Sequence, residues 1–232
     1  MIERLFAKAP TAPVSDLWLW RIFAPLVRFV VFSLVGVEVR GRENVPATGA
    51  YIVVANHTSW KDPPVVSLAL RTPIRWMAKA EVFDYIFLGF LLRGIGNFGI
   101  RRGESDRRAI ALSLEVLTKG LPLGVFPEGH RSETKALLRG RPGISLLADR
   151  SDALIVPCGI VGTPTARLRL PRRKDVVLNF GQPFRVSDLP ADVRRDRQAT
   201  ADAIMLRIAQ VLPPQMRGVY AKGMPNNEAP TT

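Results

Sequence analysis

The chain has 232 residues, 47% hydrophobic and 23% charged. This suits one compact domain with a sizeable core and excludes disordered, collagen-like and coiled-coil classes. One cysteine, Cys158, and two histidines, His57 and His130, exclude a disulfide framework and a cysteine-rich zinc site, so no metal and no cofactor is expected and the setting is a reducing one. Lys plus Arg number 33 against 20 Asp plus Glu, a net charge of +13, which attracts polyanions: nucleic acid, an anionic membrane leaflet or phosphorylated substrates.

The first predicted element is Leu17–Gly36, LWLWRIFAPLVRFVVFSLVG. It is strongly apolar and aromatic, but Arg21 and Arg28 interrupt the run of about 20 apolar residues that a spanning helix needs. Seven residues apart, the two arginines share nearly one helical face, opposite a surface of Trp, Leu, Phe and Val. That pattern predicts an amphipathic helix lying in the membrane interface, with its arginines near lipid phosphates and Trp18, Trp20 and Phe23 among the acyl-chain ends. The alternative is an ordinary helix packed on the domain. Pro25 predicts a kink or a split into two short helices. Pro10 and Pro13 precede the run and no small-residue cleavage site follows, which argues against a cleaved signal peptide.

Beyond it, strand-like and helix-like patterns alternate. Val37–Arg40 and Tyr51–Ala55 read as short strands around a turn-rich stretch with Pro46 and Gly49. Pro63–Leu70 reads as a short helix, Ile74–Lys79 as a strand, Glu81–Arg93 as an apolar helix and Asn97–Arg101 as a strand. Ser105–Lys119 is a helix stopped at Gly120. Gly124–Phe126, Leu154–Val161 and Val176–Phe180 complete the strands, with a helix near Ile144–Asp149 between the first two. Ala199–Leu212 is a final helix, ended by Pro213 and Pro214. The alternation predicts an α/β fold: a mixed, mostly parallel sheet flanked by helices. Residues 1–36 form the predicted membrane-associated segment, 37–222 one domain, and 223–232, polar and Pro-containing, a disordered tail.

Three loops carry candidate chemistry. Asn56-His57-Thr58-Ser59-Trp60-Lys61-Asp62 follows the apolar strand AYIVVA, and strand ends are where α/β folds place function. A histidine held by a carboxylate acts as a general base. On a continuous helix His57 and Asp62 would stand about 140° apart, so they meet only if the loop curls before Asp62, which is also able to cap a helix starting at Pro63. The alternative is a helix cap beside a surface histidine. Backbone N–H groups of this loop are candidates for holding an oxyanion. Phe126-Pro127-Glu128-Gly129-His130-Arg131-Ser132 follows a second apolar strand. There Gly129 permits close backbone approach, Arg131 offers a fork suited to phosphate, and Glu128 is able to hold that fork or a substrate hydroxyl; the alternative is a polar turn with an internal Glu–Arg pair. Gly99-Ile100-Arg101-Arg102-Gly103 places two arginines at a strand end, where they suit an anion or are merely solvated charge. Cys158 follows apolar residues and is expected to be a buried, inert thiol.

The order NHTSWKD, AKAEVF, GNFGIRRG, FPEGHRS and ALIVPCGIVG resembles the glycerolipid acyltransferase family, and within it the lysophosphatidic acid acyltransferases, over about residues 37–184. The resemblance implies an acyltransferase domain with a His57–Asp62 catalytic dyad. Asn56, Ser59, Arg102, Glu128, Gly129 and Arg131 would then serve as acceptor-binding positions, and Pro157 would match a Val-Pro pair close to the acyl-donor site. It implies acyl-CoA or acyl carrier protein as donor, a lysophospholipid acceptor, and a peripheral or monotopic location on the cytoplasmic face of the cell membrane. His130 replaces the family's usual Thr, and Arg101 stands where a small or acidic residue is common; both bear on which acceptor is used. The basic cluster Arg167, Arg169, Arg172, Arg173 and Lys174 comes with no nucleic-acid motif, so no nucleic-acid partner is expected. The cluster suits anionic lipid head groups or an acidic carrier protein.

Overall fold

Short β-branched runs become interior strands where both of their faces are covered by helices. The computed structural model describes residues 18–70, 72–86, 89, 92, 96–100, 106–167 and 175–222. Among them the strands are β1 (Val37–Arg40), β2 (Tyr51–Ala55), β3 (Arg75–Lys79), β4 (Phe98–Ile100), β5 (Leu123–Val125), β6 (Leu154–Val161) and β7 (Val176–Phe180). They form one sheet of order β1-β7-β6-β2-β5-β3-β4. β6, β2, β5, β3 and β4 run parallel, β7 returns antiparallel to β6, and β1 pairs parallel with β7. The expected mixed, mostly parallel sheet is what forms.

The central strand β2 shows why. Its five residues YIVVA are all buried, Ile52 and Val54 in one apolar cluster and Tyr51, Val53 and Ala55 in the other. The first cluster is covered by α3 (Asp106–Thr118), α4 (Gly143–Ser151) and α6 (Arg197–Gln210), through side chains such as Val116, Leu147 and Ile204. The second is covered by α2 (Asp62–Leu70), through Val65, Val66 and Ala69, and by Val35. A short helix α5 (Ala191–Arg195) that the sequence pattern did not suggest precedes α6. The helix expected over Glu81–Arg93 opens instead as a 3₁₀ turn, Ala80–Asp84; much of the rest of that range, and the tail 223–232, lie outside the described residues.

The N-terminal expectation is corrected in two respects. α1 (Trp18–Val31) continues past Pro25 without splitting and gives way to a π-helical turn, Phe32–Gly36. Arg28 does not face outward as a lipid-phosphate contact: its guanidinium turns onto the C-terminal end of α2, donating to the carbonyls of Leu68 and Ala69 (3.1 Å to the latter), and lies over the Phe32 ring. Unsatisfied helix-end carbonyls attract a cation in this way. Among the described side chains of α1 an apolar row is exposed, with Leu26 63% and Phe29 71% exposed beside Val27 and Val30. A cavity of about 730 Å³, lined by Trp20, Pro25, Arg28, Phe29, Phe32 and Leu68 among others, lies where α1 meets α2. No helix of the described residues is long and apolar enough to cross a membrane. The side chains of Trp18, Arg21 and Phe23 lie outside the description.

Gly124 and Trp76 stand side by side in register on β5 and β3, and a Cβ on Gly124 would sit 2.4–2.5 Å from three Trp76 ring atoms. Gly124→Ala should therefore lower stability by about 1–3 kcal/mol, the usual cost of overpacking, measured by chemical denaturation. An unchanged midpoint would mean that the ring moves aside freely.

Candidate active site

β6, β2 and β5 are parallel neighbours, so the loops that leave their C-terminal ends emerge at one edge of the sheet. His57 follows β2, Glu128 follows β5 and Thr163 follows β6. Such an edge is where open α/β sheets gather functional loops.

The His57 loop is organised around a buried carboxylate. Asp62 is 0% exposed. Its Oδ2 accepts from His57 Nδ1 at 2.9 Å and from the N–H groups of Thr58 and Ser59 at 2.8 Å each, and its Oδ1 accepts from the Thr163 hydroxyl at 2.5 Å. A buried anion needs this degree of compensation. The carboxylate does not cap α2: three of its bonds point back into the loop and the fourth comes from Thr163. Pro63 and Pro64 lack N–H groups, which removes two of the donors that would otherwise compete for it. Lys61 fastens the arrangement to the loop after β6, its Nζ reaching the carbonyls of Thr163 (3.2 Å) and Ala166 (2.7 Å). Thr163 and Lys61 join residues about a hundred positions apart, and no local pattern announces them.

His57 is framed from the other side by the loop after β5. Its N–H donates to Glu128 Oε1 at 2.8 Å, and its carbonyl accepts from Ser132 N–H at 2.8 Å. Its imidazole stacks on Phe126, with ring centroids 3.9 Å apart, and Phe126 stacks on Trp76 at 4.7 Å. With Nδ1 engaged by Asp62, the ring presents Nε2 for chemistry, and 16% of the side chain remains exposed.

The geometry shows what each sequence-predicted position bonds within the protein. Asn56 is buried and extends the β2–β6 ladder, exchanging two hydrogen bonds with the Ile160 backbone at 2.9 and 2.7 Å. Ser59 is buried too, and its hydroxyl accepts from Lys61 N–H at 3.3 Å. Glu128, 1% exposed, does not pair with Arg131; its second oxygen accepts from Leu138 N–H at 2.9 Å. Burial pushes its pKa up to about 7, against the downward pull of the Leu138 and His57 amides, with the nearby Asp62 charge raising it further. Gly129 takes φ +76°, a conformation that favours glycine, and with His130 and Arg131 it is exposed. Nor do the loop's amides form an open oxyanion pocket: those of His57, Thr58, Ser59, Lys61 and Asp62 are all bonded within the protein. Cys158 is buried, and burial followed by the Asp62 charge pushes its thiol above the ordinary range. Pro157 is a buried residue of β6 opposite Val54. β4 ends at the same sheet edge, but Arg101 and Arg102 lie outside the described residues, as do Arg169 and Arg172 to Lys174. The described residues contain no His, Cys, Asp and Glu group able to hold a metal ion.

A histidine held by a buried carboxylate at the carboxyl edge of a mainly parallel sheet, with exposed arginines on the adjoining loop after β5, is an arrangement suited to general-base chemistry. The sequence profile of the acyltransferase family matches residues 36–161, and the chain belongs to that family. It is 27% identical over 196 residues to the 1-acyl-sn-glycerol-3-phosphate acyltransferase of Bacillus subtilis, covering 83% of this chain and 96% of that protein. It is 31% identical over 166 residues to the lyso-ornithine lipid O-acyltransferase of Pseudomonas aeruginosa, covering 70% of this chain and 59% of that one. The fold is like that of the crystal structure of the 1-acyl-sn-glycerophosphate acyltransferase PlsC from Thermotoga maritima, with a TM-score of 0.62 and 24% identity over 88% of this chain and 83% of that one.

Glu128 offers a direct test of positioning against substrate binding. Glu128→Gln replaces one acceptor oxygen with a donor facing a backbone N–H. It should lower kcat about tenfold or more, by about 1.5–3 kcal/mol, with little change in either KM. Because the native carboxyl holds its proton to about pH 7, its contribution to stability is largest below its unfolded pKa and is lost as pH rises toward 7. The stability of wild type relative to Glu128→Gln should therefore fall over that window in denaturation curves taken at several pH values. A rise in acceptor KM at constant kcat would instead make Glu128 a substrate ligand.

Proposed function

We propose that this protein moves a fatty acyl group from a thioester donor, acyl-CoA or acyl carrier protein, to the free hydroxyl of 1-acyl-glycerol 3-phosphate, giving phosphatidic acid. The observation that carries the proposal is the His57–Asp62 pair, with Nδ1 bonded at 2.9 Å to a fully buried carboxylate in a chain of the acyltransferase family. The names of relatives such as the Bacillus enzyme support the acceptor.

In this mechanism His57 Nε2 takes the proton of the acceptor hydroxyl as its oxygen attacks the thioester carbonyl. Asp62 fixes the tautomer and stabilises the imidazolium. The tetrahedral intermediate collapses, the carbon–sulfur bond breaks, and the imidazolium returns its proton to the leaving thiolate. The Trp60 N–H is the amide of the His57 loop left for the oxyanion. Arg131, exposed beside the dyad, together with Arg102, would hold the acceptor's phosphate, a proximity effect. The exposed apolar row of α1, Leu26, Val27, Phe29 and Val30, would seat the enzyme peripherally or monotopically on the cytoplasmic leaflet, where its lysolipid acceptor resides.

A second reading of the acceptor, an amino-acid lysolipid, is favoured by the likeness to the Pseudomonas enzyme. Purified full-length protein offered lysophosphatidic acid and lyso-ornithine lipid, with each donor in turn, should make phosphatidic acid as the preferred product by mass spectrometry. Acylation of the ornithine lipid alone would establish the second reading. His57→Ala should reduce turnover at least about a thousandfold without unfolding, a loss of about 4 kcal/mol of transition-state stabilisation. Retention of a tenth of the wild-type rate would remove His57 from the role of base.

Membrane seating has its own test. Phe29→Glu with Val30→Glu should release the protein from anionic vesicles in a flotation assay, because charges replace buried apolar area. High salt should weaken wild-type binding only in part. Full release of wild type by salt would mean that charge alone holds it there.

A further inference from the structure

The loop after β5 carries a further exposed guanidinium that neither the motifs nor the dyad explains. Arg141 lies thirteen positions beyond Glu128, yet it packs directly on Gly129: a Cβ built there would stand 2.6 Å from Arg141 Nε, 2.8 Å from Cδ and 3.0 Å from Cζ. Glycine at this position thus does two things. It permits φ +76°, and it leaves the volume that the guanidinium fills.

The backbone that delivers Arg141 is held at every group. The N–H of Gly140 donates to the Tyr220 hydroxyl at 3.0 Å, and its carbonyl accepts from Gln198 Nε2 at 3.0 Å. Tyr220 and Gln198 both bond Asp202, at 2.7 and 3.0 Å, so one carboxylate on α6 fixes both supports. The Arg141 N–H donates to the Pro127 carbonyl at 2.9 Å, and its own carbonyl accepts from Ile144 N–H at 3.4 Å. Three positions back, Leu138 N–H meets Glu128 Oε2, so the whole segment is tied to the loop that frames His57. The guanidinium itself is exposed and takes no hydrogen bond, ion pair or ring contact among the described residues. Arg131, two residues past Gly129, is likewise exposed and unengaged. Both guanidiniums are thus carried by the loop that frames His57, with their donors open to an anion.

We infer that Arg141, seated in the space left by Gly129, binds the phosphomonoester of the acceptor together with Arg131. This rests on the proposed phosphate-bearing acceptor. Its planar fork lies against the exposed loop next to the His57 clamp, so an acceptor held there by its phosphate has its hydroxyl kept close to the base.

The experiment compares full-length wild type with Arg141→Ala and Arg141→Lys. Arg141→Ala should raise the KM for lysophosphatidic acid about 10- to 100-fold, the effect of losing a charge-assisted contact, while the donor KM and the rate on monoacylglycerol stay as in wild type. Lysine, a point charge on a flexible stem, should restore only part of the affinity. Calorimetric titration with glycerol 3-phosphate, which needs no turnover, should show the same loss. Titration with inorganic phosphate separates recognition of the glycerol ester from recognition of phosphate alone, and either pattern of loss supports the assignment. Unchanged glycerol 3-phosphate affinity in Arg141→Ala would overturn it. So would equal losses on phosphate-bearing and phosphate-free acceptors, or a rise confined to the donor KM, which would assign the cation to the donor's phosphates. If wild type binds glycerol 3-phosphate through Arg141 but makes no phosphatidic acid, the inference stands and the proposed reaction fails.

Discussion

The arrangement of the site depends on one fully buried carboxylate. An ionised Asp62 with no exposure would be prohibitive in an apolar interior unless donors surrounded it. The fold supplies four: an imidazole, two backbone amides and a hydroxyl from the loop after β6. Meeting that demand bends the His57–Asp62 loop into its shape. The same bonds that compensate the charge orient the imidazole, so the local stability of the loop and the placement of the base have one cause.

The consequences spread outward through β5 and β6. Thr163 and Lys61 tie Asp62 to the loop after β6, while Glu128 and Ser132 grip the His57 peptide from the loop after β5. The imidazole is backed by the Phe126 and Trp76 rings, and Trp76 lies against Gly124. Core packing between β3 and β5 thus sets the depth at which the base sits. A rigid first layer of this kind also consumes most of the loop's amides, which is why chemistry expected of the backbone falls to fewer groups than the loop's length suggests.

The strands were legible in the sequence because interior parallel strands need apolar residues on both faces, and YIVVA and ALIVPCGIV have no other use. The dyad was legible because both partners lie within one loop. Long-range partners were not. Thr163 and Arg141 reach the site from distant positions, and nothing near them in the chain marks them. The bonds of Glu128 were hidden for a related reason: a polar residue in a polar motif suggests a partner side chain or a ligand, while its burial under two backbone amides becomes visible only in three dimensions. Arg28 reversed its expected direction because helical periodicity defines a face without saying which way that face points. The end of α2 decided it, offering carbonyls that needed a donor.

Cys158 sharpens the chemistry by what it does not do. It lies opposite Ala55 in the β2–β6 ladder, one residue along from Asn56, and a thiol so near the base invites an acyl-enzyme mechanism. Its side chain has no exposure, and burial together with the Asp62 charge holds it protonated. The anion that orients His57 therefore also suppresses the neighbouring thiolate, which is the nucleophilic form. Burial first, and the Asp62 charge second, thus disfavour covalent transfer through sulfur. In the proposed mechanism the remaining control over rate is placement of the acceptor, the role proposed for the exposed arginines of the loop after β5.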